Sequence, residues 1–153
     1  MNKDPRHMTI LLAEDDPDDR LLAQEALMEG NGPHKLFCVV DGEELMDYLH
    51  HRGRFSDPRR APRPGLILMD LNMPRKDGRE ALKEIKSDPA LRRIPVVVLT
   101  TSQNAEDVFD SYDLGGNSYI HKPVSFAGLV KVIKLVSQYW CETVEVAPGE
   151  RQV

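Results

Sequence analysis

Five side chains in this sequence have the types and positions to do chemistry together: Glu14, Asp15, Asp70, Thr100 and Lys122. Each stands at or just past the end of a short apolar run. Thr9-Ile10-Leu11-Leu12-Ala13 leads into Glu14-Asp15-Asp16, and Leu66-Ile67-Leu68-Met69 into Asp70. Pro95-Val96-Val97-Val98-Leu99 leads into Thr100, and Ser118-Tyr119-Ile120-His121 into Lys122-Pro123. Apolar runs this short, bounded by turn residues such as Pro64-Gly65, read as strands buried on both faces, the pattern of a parallel sheet. Taken singly, an acid after a strand is a turn or cap residue, and Thr100-Thr101-Ser102 is ordinary turn and cap chemistry. Four strands ending this way are hard to explain as turn selection.

In a parallel sheet all carboxyl ends lie on one edge, where open α/β folds bind ligands. Three carboxylates, one hydroxyl and one ammonium therefore converge. Clustered carboxylates repel one another and favour a hard cation, and few oxygen ligands with open positions suit Mg²⁺ better than a caged Ca²⁺. The lack of thiolate or imidazole nearby argues against zinc. Mg²⁺ with positions to spare accepts a phosphoryl group, which Lys122 and Thr100 would complement by charge and hydrogen bond. No Gly-x-x-x-x-Gly-Lys run is present to hold a nucleotide. The phosphoryl group is expected on the protein itself, with Asp70 as the nucleophile that becomes an acyl phosphate.

Composition sets the frame. The chain has 153 residues, 41% hydrophobic and 29% charged, which is ordinary for one globular domain. A net charge of −5 argues against a dedicated nucleic-acid binder. No apolar stretch approaches a membrane span, and Met1-Asn2-Lys3-Asp4-Pro5 lacks the hydrophobic segment of a signal peptide. The two cysteines, Cys38 and Cys141, are expected to be free thiols in a reducing cytoplasm.

The elements that must position the five groups follow in order. Residues 1–8 are polar and expected to be disordered. Asp16-Pro17-Asp18-Asp19 is a helix start, with Asp16 as N-cap and acids in the first turn. Leu22, Ala23, Ala26 and Leu27 are its buried face, and it stops near Gly30. Lys35 to Val40 is a second strand. Asp41-Gly42-Glu43-Glu44 and Asp77-Gly78-Arg79-Glu80 read as capping boxes for helices through Leu45, Met46, Leu49 and through Ala81, Leu82, Ile85. A helix over Ala105–Leu114 follows the fourth strand. The last runs from a Ser125 cap to about Trp140. Strand and helix alternate five times, which implies a parallel sheet covered on both faces. Between them, residues 51–64 carry five arginines and three prolines; the charge suggests a phosphate or partner contact, but with only Phe55 as an aromatic the segment reads rather as a solvated loop.

With these motifs in place, the sequence resembles the response-regulator receiver domains of two-component signalling over residues 9 to about 138. The resemblance rests on Glu14-Asp15, on Met69-Asp70-x-Asn72-Met73-Pro74, on Thr100 and on Lys122-Pro123. It implies a flavodoxin-like fold with a five-stranded doubly wound parallel sheet in the order 2-1-3-4-5. It implies Asp70 as phosphoacceptor for a histidine kinase, and Mg²⁺ bound directly by Asp15, Asp70 and the backbone carbonyl of Asn72. Glu14 fills the other acidic position and acts through water. Thr100 is the switch hydroxyl, Lys122 the phosphate-binding lysine and Tyr119 the aromatic switch residue, and the Lys122-Pro123 bond is expected to be cis. The arginine loop and the ending Tyr139-Trp140-x-x-x-Val144-x-Val146-x-Pro148 are similar to the small regulators paired with phytochrome histidine kinases.

The receiver domain is expected to occupy residues 9–140, leaving 141–153 as a tail too short for a helix-turn-helix output domain. At about 100° per residue, Phe126, Leu129, Val130, Ile133, Val136 and Trp140 share one face of the last helix and would cover the sheet. Val132, Leu135 and Tyr139 lie on an adjacent face that a monomer would make polar. A homodimer through this helix and the tail is the expectation, with Thr143-Val144-Glu145-Val146 able to add an extended strand to a neighbour. Two rival classes are weaker. A haloacid-dehalogenase-type phosphohydrolase would want a second acid two residues after Asp70, where Asn72 stands. A nucleic-acid adaptor would rest on the arginine loop alone.

Overall fold

The computed structural model of the chain describes residues 8–29, 34–101 and 105–143. Strands and helices alternate as β1 (Thr9–Ala13), α1 (Pro17–Glu29), β2 (Lys35–Val39), α2 (Gly42–Leu49) and β3 (Leu66–Met69). Then come α3 (Gly78–Ser87), β4 (Val96–Thr100), α4 (Ala105–Asp113), β5 (Ser118–His121) and α5 (Phe126–Gln138). All four pairings are parallel, in the order β2-β1-β3-β4-β5. The doubly wound sheet expected from the strand pattern is the one observed.

The core is divided by the sheet, and strand periodicity does the dividing. Leu11, Ala13, Ile67, Met69, Val96 and Val98 point to one side, into a cluster with Leu45, Met46, Leu82 and Ile85 of α2 and α3. Ile10, Leu12, Leu66, Leu68, Val97 and Leu99 point to the other, against Ala23 and Ala26 of α1 and Leu129, Ile133 and Val136 of α5. Successive strand residues face opposite ways, so a strand covered on both faces must be apolar throughout. Burying one such aliphatic side chain contributes about 1.5–3 kcal/mol, and β3 buries all four of its residues.

Helix starts follow the expected chemistry with a shifted register. Asp41 caps α2 by accepting from the Glu44 N–H at 2.8 Å. The Glu44 carboxylate reaches one residue further back than in a capping box, to the Val40 N–H at 3.1 Å. Asp77 caps α3 through the Arg79 N–H at 2.8 Å, and Ser125 caps α5 through the Gly128 N–H at 3.0 Å. Met8 is buried at the start of β1. After α5 the chain continues through a π-helical turn, Tyr139–Thr143, in which Cys141 is buried within the α1–α5 cluster. Both cysteines are free thiols.

Two expectations are corrected and others lie beyond the described residues. Phe126, assigned to the sheet-covering face, is 67% exposed. It is the first residue of α5, beside the strand-end edge where no sheet lies beneath it. The Lys122–Pro123 bond is trans, since the described residues contain no cis peptide; trans is the form an X–Pro amide favours by about 0.5–1 kcal/mol. The stop near Gly30, the polar start at residues 1–7, Ser102 and the alternating tail segment from Val144 onward lie outside the described residues.

Candidate phosphoryl and cation site

The parity of the strands continues past their ends and sorts the site. Glu14 follows Ala13 and Asp70 follows Met69, so both fall on the α1–α5 side, and Lys122 falls there by the same count from Ile120. Thr100 and Tyr119 fall on the opposite side. Tyr119 is half-buried against the α2–α3 cluster and stands in register with Val98, two residues before Thr100.

Oxygens of Glu14, Asp15 and Asp70 lie within 4.8 Å of one another. Glu14 and Asp70 are buried, and Asp15 is exposed. The Lys122 ammonium enters from β5. It pairs with Glu14 Oε1, reaches Asp19 Oδ2 at 2.7 Å and stands 3.6 Å from Asp70 Oδ2. Thr100 is fully buried, and its backbone carbonyl accepts the Lys122 backbone N–H at 2.7 Å.

The backbone holds these groups in place. The Asp70 N–H donates to the Ala13 carbonyl at 3.2 Å, tying the loop to β1. Asp70 Oδ1 accepts from the Asn72 N–H at 3.0 Å, so one carboxylate oxygen is fixed by its own turn. The Asp70 loop then packs against the start of α3, where a Cβ on Gly78 would lie 2.6 Å from the Asp70 carbonyl oxygen. Only glycine permits that approach. Further along, Arg75 adopts φ 63° and is tied to α2 by Asp41 at 3.3 Å and Glu43 at 3.3 Å. On the other side, Arg20 of α1 donates to the Glu14 carbonyl at 2.8 Å.

The charge balance is uneven. Glu14, Asp19 and Asp70 face one ammonium. Beneath them lies a void of about 10 Å³ lined by Leu12, Ala23, Leu99, Leu129 and Ile133, too small to hydrate them freely. Burial pushes the Glu14 carboxyl up to about 7, against the lowering effect of its bonds to Lys122 and the Asp16 N–H. Burial pulls the Lys122 ammonium down, but hydrogen bonds to Asp19 and Glu14 and the charges of Glu14 and Asp70 outweigh it, so its net shift is upward. Lys122 therefore stays charged, and three acids share its one positive charge. An oxygen-only donor set short of positive charge fits a hard divalent cation.

Of the residues singled out in the sequence, Glu14, Asp15, Asp70, Thr100 and Lys122 meet at this edge, and Tyr119 lies two residues back from it on the Thr100 side. Asn72 contributes its backbone N–H. Asp19, read only as a helix residue, and Arg20 also belong to the site. The signal for Asp19 was its place three residues into α1, since helical side chains lean back toward the N-terminus and hence toward the strand ends.

This fold and site define a response regulator receiver. The sequence profile of the response regulator receiver domain matches residues 10–134, and the chain belongs to that family. It is 47% identical over 135 residues to the response regulator Rcp1 of Synechocystis sp., covering 88% of this chain and 90% of that protein. It is 38% identical over 133 residues to the probable methanogenesis regulatory protein FilR2 of Methanothrix harundinacea, covering 86% and 82%. Among solved structures, the phosphorylated cyanobacterial phytochrome response regulator RcpA superposes with a TM-score of 0.87 at 48% identity, covering 93% of this chain and 99% of that one. The Mn²⁺-bound form of Rcp1 superposes with a TM-score of 0.85 at 45% identity, covering 92% and 99%. The chain is a phosphoacceptor signalling protein of the two-component type.

Proposed function

We propose that Asp70 takes a phosphoryl group from a histidine kinase of the phytochrome class, and that Thr100, Lys122 and Tyr119 convert this event into a change of surface. The observation that carries the reading is the meeting of Asp70 with two further acids and the end of Lys122 at one strand edge. An Asp70 carboxylate oxygen attacks the phosphorus of a phosphohistidine. The O–P bond forms as the N–P bond breaks, and the imidazole nitrogen leaves with the electron pair. The new group adds charge and acceptor oxygens within reach of Lys122 and the Thr100 hydroxyl. Tyr119, on the same side of the sheet as Thr100, follows any inward movement there.

Asp15, Asp70 and the Asn72 carbonyl would hold Mg²⁺, with Glu14 acting through water. When bound, that ion neutralises the surplus carboxylate charge and complements the transferring phosphoryl oxygens. The phytochrome pairing rests on the likeness to RcpA and Rcp1. The arginine loop supports a signalling role over a nucleic-acid one. Arg52, Arg54 and Arg59 pair with Asp47, Glu44 and Asp57, and Arg63 donates to the Ala90 carbonyl at 2.6 Å.

The chain also acts as a homodimer through α5 and the segment after it. Leu135 and Tyr139 are 56% and 51% exposed on the face predicted to need a partner, whereas Val132 is half-buried against its own core.

The test of the phosphoacceptor is direct. The protein is incubated with acetyl phosphate and Mg²⁺, and the labelled residue is mapped by mass spectrometry after borohydride trapping. Label on Asp70 is expected, and Asp70→Asn should lose it while keeping the fold intact. Stoichiometric label on the Asn variant would mean another nucleophile.

A further inference from the structure

We propose that Asp19 is a positioning residue of the phosphoryl site: its carboxylate holds the Lys122 ammonium toward α1 and competes for it with the phosphorylated Asp70. The proposal rests on the reading of Asp70 given above and adds a residue to it.

Geometry carries the argument. Lys122 Nζ lies 2.7 Å from Asp19 Oδ2 and 3.6 Å from Asp70 Oδ2. The first distance is a charge-assisted hydrogen bond, and the second lies beyond hydrogen-bond reach. An ammonium has three donors. Glu14 and Asp19 take two of them, and neither bond goes to the phosphoacceptor. The contact is also sheltered, since the Lys122 and Asp19 side chains are 9% and 21% exposed.

Helix α1 does not need this acid as a cap. Asp16 already accepts from the Asp18 N–H at 2.9 Å, and Asp18 puts an exposed charge in the first turn. Asp19 instead shares a helix face with Ala23, four residues on, and both line the void under the ion pairs together with Glu14 and Lys122. Nor is it one of the three acids whose oxygens converge for a cation. Its position serves Lys122. The Asp19 carboxylate draws this ammonium toward α1 and leaves one donor for a phosphoryl group, which biases the site toward the unphosphorylated arrangement.

Calorimetric titration of the full chain with beryllofluoride, a phosphoryl analogue, at saturating Mg²⁺ tests this. Asp19→Asn keeps the shape and removes the competing charge, and should bind about three- to tenfold more tightly than the wild type. Asp19→Glu, which restores a carboxylate, should return toward wild-type affinity, and Asp18→Asn should bind as the wild type does. In a Lys122→Ala background the gain from Asp19→Asn should vanish. Unchanged or weaker binding by Asp19→Asn, the same gain in Asp18→Asn, or a gain that persists without Lys122 would each overturn the proposal. Failure of the wild-type chain itself to bind the analogue would overturn the Asp70 reading as well, so the two failures are distinguishable.

Discussion

Arg79, near the start of α3, holds Asp107 of α4 through its Nε at 3.2 Å from Oδ1, while its Nη1 stays 3.1 Å from Asp77, the residue that caps α3. One guanidinium thus joins the helix that follows the Asp70 loop to the helix that follows Thr100. Both partners are partly covered, and the fork geometry of arginine suits two carboxylates at once. Asp107→Asn is expected to leave global stability within about 1 kcal/mol of the wild type while accelerating amide exchange in α4. Hydrogen exchange read by mass spectrometry checks it, and unchanged protection across 105–113 would show that α4 is held by packing alone.

Neighbouring acids after β1 should behave differently. Asp15 is exposed at the cation edge, whereas Asp16 accepts from the Asp18 N–H at the start of α1. Asp15→Ala should weaken Mg²⁺ binding by at least tenfold, because few ligands hold the ion. Asp16→Ala should cost about 1 kcal/mol of stability, as a lost N-cap does, with Mg²⁺ affinity nearly kept. Equal loss of affinity in both would refute this division of roles.

Glu14 predicts a pH dependence in metal-free protein. Its folded pKa, about 7, lies above the ordinary carboxyl value of 4.5 because of burial. Between these values the folded state binds more protons than the unfolded one, so stability falls as pH rises through the window. Above pH 7 the charged carboxylate is a standing cost that a bound Mg²⁺ would relieve. Glu14→Gln in EDTA should therefore flatten the decline between about pH 4.5 and 7 and unfold at a higher temperature than wild type at pH 8. Thermal melts across this range, with and without Mg²⁺, report it, and an unaltered slope in the variant would assign the dependence elsewhere.

The dimer is tested on α5 without cutting the chain. Removing residues after Ser137 would delete Trp140 and the buried Cys141, and so damage the core. Leu135→Glu with Tyr139→Glu changes only exposed positions. Sedimentation at micromolar concentration should show a dimer for the wild type and a monomer for the double variant. A wild-type monomer, with Asp70 phosphorylated, would end the dimer reading.

Much of this protein is written locally. Four apolar runs ending in Glu14-Asp15, Asp70, Thr100 and Lys122 determine a parallel sheet and bring those groups to one edge, because strand direction is shared and side chains alternate with period two. The same alternation places Glu14, Asp70 and Lys122 on one side and Thr100 with Tyr119 on the other. Turn and cap residues mark the helix starts, because their hydrogen bonds span only two or three positions. What the sequence could not decide depends on how helices lie against the sheet. Asp19 looks like any first-turn acid until α1 packs beside α5 and carries its carboxylate to Lys122, more than a hundred residues away. Phe126 looks like a core position until its turn is found at the sheet's rim. Arg79 and Asp107 meet only because α3 and α4 flank the same edge. Those contacts join residues that share no local hydrogen bond or period, so only the packed tertiary structure determines them.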